Sequence, residues 1–146
     1  MKALMAVTVL AMGGLVLERP TVADDEGACS IRSLAGRWVF ATGVGQFPAF
    51  GGDITAIGTL NIDRDGNVSG EFDATVASVD FLPSVGYSGS VTVDPDCTGT
   101  LTFVTTAGTA RTDSIVVPSE RELWSMSQDP GNLWTVRARK ISGRRE

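Results

Sequence analysis

The 146-residue sequence contains no histidine and only two cysteines. A Ser-His-Asp triad, a Cys-His pair and the common four-ligand zinc sites therefore cannot form within one chain. Charged residues make up only 20% of the sequence and hydrophobic residues 42%, so the chain can bury a core and differs from disordered proteins. The length suits a single domain. The formal net charge of −5 gives no indication of nucleic-acid binding.

The first residues have the pattern of an export signal. Lys2 precedes an apolar run over residues 3–17, which is shorter than the roughly 20 residues needed to span a bilayer. Small residues, Thr21 and Ala23, then stand at the −3 and −1 positions of a cleavage site after Ala23. We therefore predict a signal peptide over residues 1–23 and one domain over residues 24–146. The mature protein is expected to be secreted or periplasmic, with no membrane span.

Export changes the interpretation of the two cysteines. Cys29 and Cys97 form an even pair, and disulfides persist in oxidising compartments, so we predict that they are bonded to each other. A reactive redox pair would instead favour closely spaced cysteines and a nearby base that stabilises a thiolate. The sequence has neither feature, which favours a structural crosslink.

Beyond the leader, apolar and polar residues alternate, and no window keeps a helical stripe of apolar residues. Turn signals that contain glycine recur at intervals of about ten residues. We predict eight strands, near residues 37–43, 54–62, 68–78, 85–93, 99–106, 111–118, 122–128 and 133–141. Short connections favour antiparallel neighbours, and eight such strands can close into a barrel. The expected fold is an all-β, eight-stranded, antiparallel up-and-down barrel.

Two hairpins can be registered from the sequence, because a slip of one residue would turn carboxylates towards the core. The first register places Gly58 opposite Phe72, and the second places Gly89 opposite Phe103. Glycine beneath an inward aromatic ring allows the strong coiling that a small barrel needs.

The last hairpin can be registered in the same way. A three-residue loop over residues 130–132 aligns Trp124 with Ala138 and Gln128 with Trp134. This register predicts that both tryptophans point inward.

Together the registers define an inward face rich in large apolar residues: Trp38, Phe40, Leu60, Phe72, Tyr87, Val91, Phe103, Trp124, Met126, Trp134 and Val136. These side chains either fill the interior or line a cavity that holds a small apolar molecule. For the second alternative, we predict a ligand-binding wall of Trp38, Phe40, Phe72, Tyr87, Phe103, Trp124 and Trp134. The long connection over residues 44–53 contains Phe47, Pro48 and Phe50, which are expected to form a lid or to plug that end of the barrel.

Few polar groups are available for chemistry inside such a barrel. Without histidine, proton transfer would depend on Asp, Glu, Tyr or Lys. Tyr87 can donate or accept a hydrogen bond while its ring stays apolar. Asp113 faces inward in a register that pairs it with Phe103, but the cost of burying a lone carboxylate favours an outward position. No catalytic residue, cofactor or metal site is predicted, since the acidic pairs stand in ordinary turns.

Three segments resemble a group of small exported bacterial proteins. They are CSIRSLAGRW (29–38), GTLNIDRDGNVSG (58–70) and GSVTVDPDCTGT (89–100). These proteins look like allene-oxide-cyclase-type barrels of the calycin class, which are similar to lipocalins in holding an apolar pocket. The resemblance covers about residues 29–141. Some members of the wider superfamily are cyclases that fold a reactive apolar substrate.

Two functions remain open from the sequence. The first is a barrel that binds a small apolar ligand, with a cyclase or isomerase as its catalytic extension. The second is a non-catalytic structural or interaction module with a filled core. The interior volume distinguishes them, because ligand sites commonly enclose about 300 Å³ or more.

Overall fold

The computed structural model describes residues 29–47, 52–76 and 80–141. Residues 1–23, the predicted signal peptide, lie outside this part. Its elements are α1 (Ile31–Leu34), β1 (Gly36–Thr42), β2 (Gly45–Phe47), β3 (Gly52–Ile62), β4 (Asn67–Val76), β5 (Asp80–Val93), β6 (Thr98–Thr105), β7 (Ala110–Ser119), β8 (Glu122–Ser127) and β9 (Thr135–Lys140). All eight predicted strands are present. Helix α1 and strand β2 are additional, and both are too short to produce a periodic pattern in the sequence.

Eight of the strands close into an antiparallel barrel. Their order is β1-β9-β8-β7-β6-β5-β4-β3, and β1 pairs with β3 to complete the ring. The extra strand, β2, pairs with the start of β3 beyond the end of β1, where Gly45 lies opposite Ile54. The predicted all-β, eight-stranded barrel is confirmed.

The two ends of the barrel differ in their connections. Because neighbouring strands are antiparallel, successive connections lie at opposite ends. At the end that we call the closed end, short turns cover residues 63–66, 94–97 and 120–121. At the opposite end, which we call the open end, the described connections cover residues 106–109 and 128–134. The connection over residues 128–134 is longer than any of the turns at the closed end.

Helix α1 covers the closed end. Ser30 begins it with a capping box, and Leu34 in its last turn is completely buried. The indole N–H of Trp38 donates a 2.9 Å hydrogen bond to the carbonyl of Leu34. Cys29 is bonded to Cys97 in the β5–β6 turn, with 5.0 Å between the Cα atoms. The predicted disulfide is therefore confirmed, and it anchors the helical segment to the barrel.

The interior behind α1 is filled by apolar side chains that are almost fully buried: Leu60, Ile62, Val68, Val91, Leu101, Ile115, Val117, Leu123 and Ala138. Towards the open end, the inward rings of Phe40, Phe72 and Phe103 are only partly buried. A second, smaller cluster of buried side chains lies towards the same end and contains Ile54, Ala56, Ala74, Val76 and Trp134.

The two glycine registers are confirmed. Gly58 pairs with Phe72 and Gly89 with Phe103. A Cβ atom at Gly58 would lie 2.6 Å from Cβ of Phe72, and one at Gly89 would lie 2.6 Å from Cα of Phe103. The strands therefore approach too closely at these points for any larger residue.

The predicted register of the last hairpin is wrong by one residue. Ala138 pairs with Leu123, not with Trp124. The loop is longer than three residues, since the N–H of Ser127 donates to the carbonyl of Trp134 at 3.0 Å. Leu133 is instead held to β2 by paired backbone hydrogen bonds with Gln46.

This shift exchanges the faces of β8. Leu123 and Ser125 point inward and are buried. Trp124 and Met126, both predicted inward, are 41% and 59% exposed. On the outer surface, the guanidinium of Arg137 lies 4.9 Å from the centre of the Trp124 ring.

Substitution at the close-approach glycines tests the inward and outward assignment. Gly58→Val and Gly89→Val are expected to lower the free energy of unfolding by about 1–3 kcal/mol, because the added atoms overlap neighbouring backbone. Thr59→Val on the outer face is the control and should change it by less than about 0.5 kcal/mol. Urea denaturation measures all three, and equal effects would contradict the assignment.

Reduction of the disulfide tests its contribution to stability. The bond closes a sequence separation of 68 residues, so its loss is expected to cost about 2–4 kcal/mol and to lower Tm by several degrees. A Cys29→Ser/Cys97→Ser variant should melt at the reduced temperature and show no response to reductant. Identical Tm values for the oxidised and reduced wild-type protein would refute this expectation.

Candidate functional site

The described side chains enclose two small voids inside the barrel. The larger, about 80 Å³, lies towards the open end, and the smaller, about 40 Å³, lies deeper. Four side chains line both voids and separate them: Phe72, Phe103, Asp113 and Trp134. The volumes are well below those of sites for drug-sized ligands. By the volume criterion of about 300 Å³ given above, the interior is closer to a filled core than to an open ligand cavity, although it is not completely solid.

Tyr87 lies at the centre of the aromatic side chains. Its ring centroid is 5.3 Å from that of Phe103, 6.0 Å from Phe72 and 6.4 Å from Phe40. The ring crosses Gly70 on the neighbouring strand, which allows its hydroxyl to donate a 2.8 Å hydrogen bond to the carbonyl of Thr59. Burial raises the pKa of Tyr87 well above its ordinary value. The hydroxyl is thus engaged by the barrel wall and serves to position the ring.

Five of the seven predicted wall residues surround the voids: Phe40, Phe72, Tyr87, Phe103 and Trp134. Trp38 is inward, as predicted, but it packs at the closed end beneath α1. Trp124 lies on the outer surface, so its prediction as a wall residue is wrong. The reason is the shifted register of β8 and β9.

The β4–β5 hairpin supplies aliphatic walls to the larger void. Its register shifts between Phe72 and Ala74, and the N–H of Ser84 donates a 2.8 Å hydrogen bond to the carboxylate of Asp73. This bulge bends the hairpin. Leu82 and Val85 consequently line the larger void.

The segment over residues 44–53, predicted to form a lid or a plug, contains strand β2 (Gly45–Phe47). Gly45–Phe47 pair with β3, and Gln46 pairs with Leu133. Val44 is 71% exposed. The side chain of Phe47, together with Pro48 and Phe50, lies outside the described residues.

Asp113 is the largest departure from the sequence prediction. It pairs with Leu101 and is only 2% exposed, so the expected outward position is wrong. The carboxylate is not alone in the interior: the hydroxyl of Ser125 donates a 2.9 Å hydrogen bond to it. The register predicted for β8 placed the Ser125 side chain outside the barrel. Without this hydrogen-bond donor a buried Asp113 carboxylate is unfavourable, so the prediction for Asp113 was wrong as well.

Two further charged groups complete the polar cluster. Arg111, two residues before Asp113 on the same face of β7, is 8% exposed. One of its guanidinium nitrogens lies 3.7 Å from a carboxylate oxygen of Asp129. Burial lowers the pKa of Arg111, while the charges of Asp129 and Asp113 act in the opposite direction. The cluster thus contains one cation and two carboxyl groups.

The environment of Asp113 suits proton transfer near neutral pH. Burial raises the pKa of Asp113 to about 6; the hydrogen bond from Ser125 opposes this rise, the charge of Asp129 adds to it, and Arg111 opposes it. A carboxyl group with such a pKa can donate or accept a proton close to pH 7. Asp113 also lines both voids. It is the residue best placed to contact a bound molecule with a polar group.

Within the described ranges, no group of three or more aspartate, glutamate or cysteine residues could hold a metal ion. No helix in the same part of the chain is long and apolar enough to cross a membrane.

Comparison with known proteins identifies the fold. No protein-family model and no curated protein matches the chain. The structure is similar to a de novo designed fluorescence-activating β-barrel, with a TM-score of 0.57 and 13% identity over 77% of this chain and 99% of that one. It is also similar to the redesigned β-barrel mFAP1 bound to DFHBI, with a TM-score of 0.56 and 15% identity over 76% and 98% of the two chains. At these identities the likeness establishes a shared barrel fold and does not identify a family.

The raised pKa of Asp113 predicts a pH-dependent stability. A carboxyl group whose pKa rises on folding binds its proton more tightly in the native state, so the free energy of unfolding falls as pH rises from about 4 to about 6. Asp113→Asn is expected to remove a decrease of about 1–3 kcal/mol over this range. Urea denaturation at several pH values measures the effect.

The matched control is Asp80→Asn, which removes an exposed carboxylate at the same end of the barrel. This variant is expected to keep the decrease that the wild-type protein shows. Parallel profiles for wild type and Asp113→Asn would be inconsistent with a buried Asp113 of raised pKa.

Proposed function

We propose that this protein is an exported β-barrel that binds a small, mainly apolar molecule inside its open end. The observation that carries the proposal is the larger void, which is walled by Phe72, Phe103 and Trp134 and has the Arg111–Asp113 cluster at its edge. Apolar walls with a few convergent polar groups are typical of small-molecule sites. The redesigned barrel mFAP1, to which this chain is similar in fold, is bound to DFHBI. That complex supports the use of such an interior for a ligand.

The volumes limit the size of the molecule. The two voids measure about 80 Å³ and about 40 Å³. An engineered apolar cavity of about 150 Å³ in another protein binds benzene, which sets the scale. Neither void reaches this volume, so even a single-ring ligand requires rotation of Phe72 or Phe103, the rings that line both voids. We therefore favour a single-ring aromatic or a compact apolar molecule.

Export is part of the proposal. The disulfide between Cys29 and Cys97 supports an oxidising compartment, because such bonds are rare in the cytosol. The predicted signal peptide over residues 1–23 points to the same secreted or periplasmic location.

A second candidate function is catalysis of proton transfer by a cyclase or isomerase, and Asp113 favours it. The side chain contacts both voids and has a pKa near 6. As a general base it would remove an acidic C–H proton from a bound ketone, leaving an enolate and a protonated Asp113. Deuterium exchange at the α-carbon of a small aromatic ketone in D₂O, followed by NMR, tests this activity. Exchange that Asp113→Asn abolishes supports the candidate, and exchange no faster than in buffer refutes it for that ketone.

Ligand binding can be measured by tryptophan fluorescence, because Trp134 lines the voids and Trp124 lies on the outer surface. Bromobenzene, an apolar quencher, is expected to reduce tryptophan emission saturably by contact with Trp134. The quenching should be lost in Trp134→Phe and retained in Trp124→Phe, because Trp124 lies outside the barrel. Fluorescence titration gives the affinity.

Two Val→Phe variants, one inside the barrel and one on its outer surface, show whether the probe binds in the larger void. Val85→Phe adds a ring within the larger void and should weaken binding by about tenfold or more. Val104→Phe adds the same ring on the outer surface, where Val104 is 48% exposed, and should leave the affinity unchanged. Linear quenching of equal size in all variants would favour the alternative of a structural or interaction module.

A further inference from the structure

We propose that the interior site selects molecules that carry a hydrogen-bond donor on the ring, of the phenol or aniline type, and that Asp113 accepts this bond. The inference rests on the proposed ligand-binding function and adds the chemical class of the ligand. It follows from the position of Asp113, the buried carboxylate that lines both voids.

Asp113 lies between the voids and lines both of them, together with Phe72, Phe103 and Trp134. It is the ionisable member of this group. A ring placed in the larger void would contact the three aromatic side chains, and its substituent would reach the carboxylate. Asp113 thus occupies the place where a ligand's single polar group would lie.

The carboxylate has acceptor capacity beyond the hydrogen bond from Ser125. An ionised carboxylate offers about four acceptor positions, and Ser125 donates to one oxygen at 2.9 Å. At pH 7.5, above its pKa of about 6, Asp113 is mostly ionised. A buried carboxylate in this state favours an added donor, because charge-assisted hydrogen bonds are strong where water is excluded.

Charge in the cluster disfavours an anionic ligand. Arg111 is the cation at the larger void, but Asp129 lies 3.7 Å from its guanidinium, and Asp113 follows on the same face of β7. The two carboxylates therefore outnumber the one positive charge when Asp113 is ionised. A benzoate would add a third negative charge to this partly buried cluster, whereas a neutral phenol adds none.

The test compares phenol with toluene, which has the same number of heavy atoms and no donor. Isothermal titration calorimetry at pH 7.5 gives the ratio of the two affinities for each variant. Asp113→Leu keeps the side-chain shape and removes the acceptor, so the preference for phenol should fall about tenfold or more. Asp113→Asn keeps a neutral acceptor and should reduce the preference by a smaller factor, which retains the test if Asp113→Leu does not fold. Asp80→Asn, exposed at the same end, should leave the ratio unchanged.

The outcomes separate this inference from the proposed function. If toluene binds and the phenol-to-toluene ratio is the same in wild type and both Asp113 variants, the inference is overturned while the ligand site stands. Tighter binding of benzoate than of phenol would also overturn it, because Arg111 would then be the selecting group. If neither phenol nor toluene binds, the proposed function itself fails.

Discussion

The hydrogen bonds between β1 and β3 close the sheet, and the rest of the structure depends on this closure. A closed sheet of eight strands has a narrow interior, so every inward side chain must fit a small shared volume. Gly58, Gly70 and Gly89 provide space where the strands coil most closely, and Phe72, Tyr87 and Phe103 lie across them. The aromatic cluster is a consequence of this geometry.

Antiparallel closure also gives the barrel two unlike ends. At the closed end, short turns, helix α1 and the disulfide bring Leu34 and Trp38 into a dense core. At the open end, a smaller cluster that includes Ile54, Val76 and Trp134 lies beside the bent β4–β5 hairpin. The larger void of the candidate site lies next to this hairpin, towards the open end.

The polar cluster in this apolar interior is a compromise between desolvation and hydrogen bonding. Asp113 loses its water but gains the hydroxyl of Ser125, and Arg111 gains Asp129. In the described residues, no buried polar side-chain atom lacks a hydrogen-bond partner. The remaining cost of burial is expressed in the raised pKa of Asp113. Burying this carboxyl group costs more free energy than burying an apolar side chain at the same position. The cost is consistent with a functional role for Asp113 beside the voids.

Local pattern in the sequence determined the strands, the disulfide and the registers at Gly58 and Gly89, because alternation and turn chemistry act over neighbouring residues and two cysteines allow one pairing. Only the tertiary structure decided the last hairpin, since Leu133 pairs with Gln46 on a distant strand and lengthens the loop. That contact turns Ser125 inward, and Ser125 in turn makes a buried Asp113 acceptable. Whether a polar residue can be buried depends on hydrogen-bond partners from other strands. The alternation of apolar and polar residues within one strand carries no information about those partners.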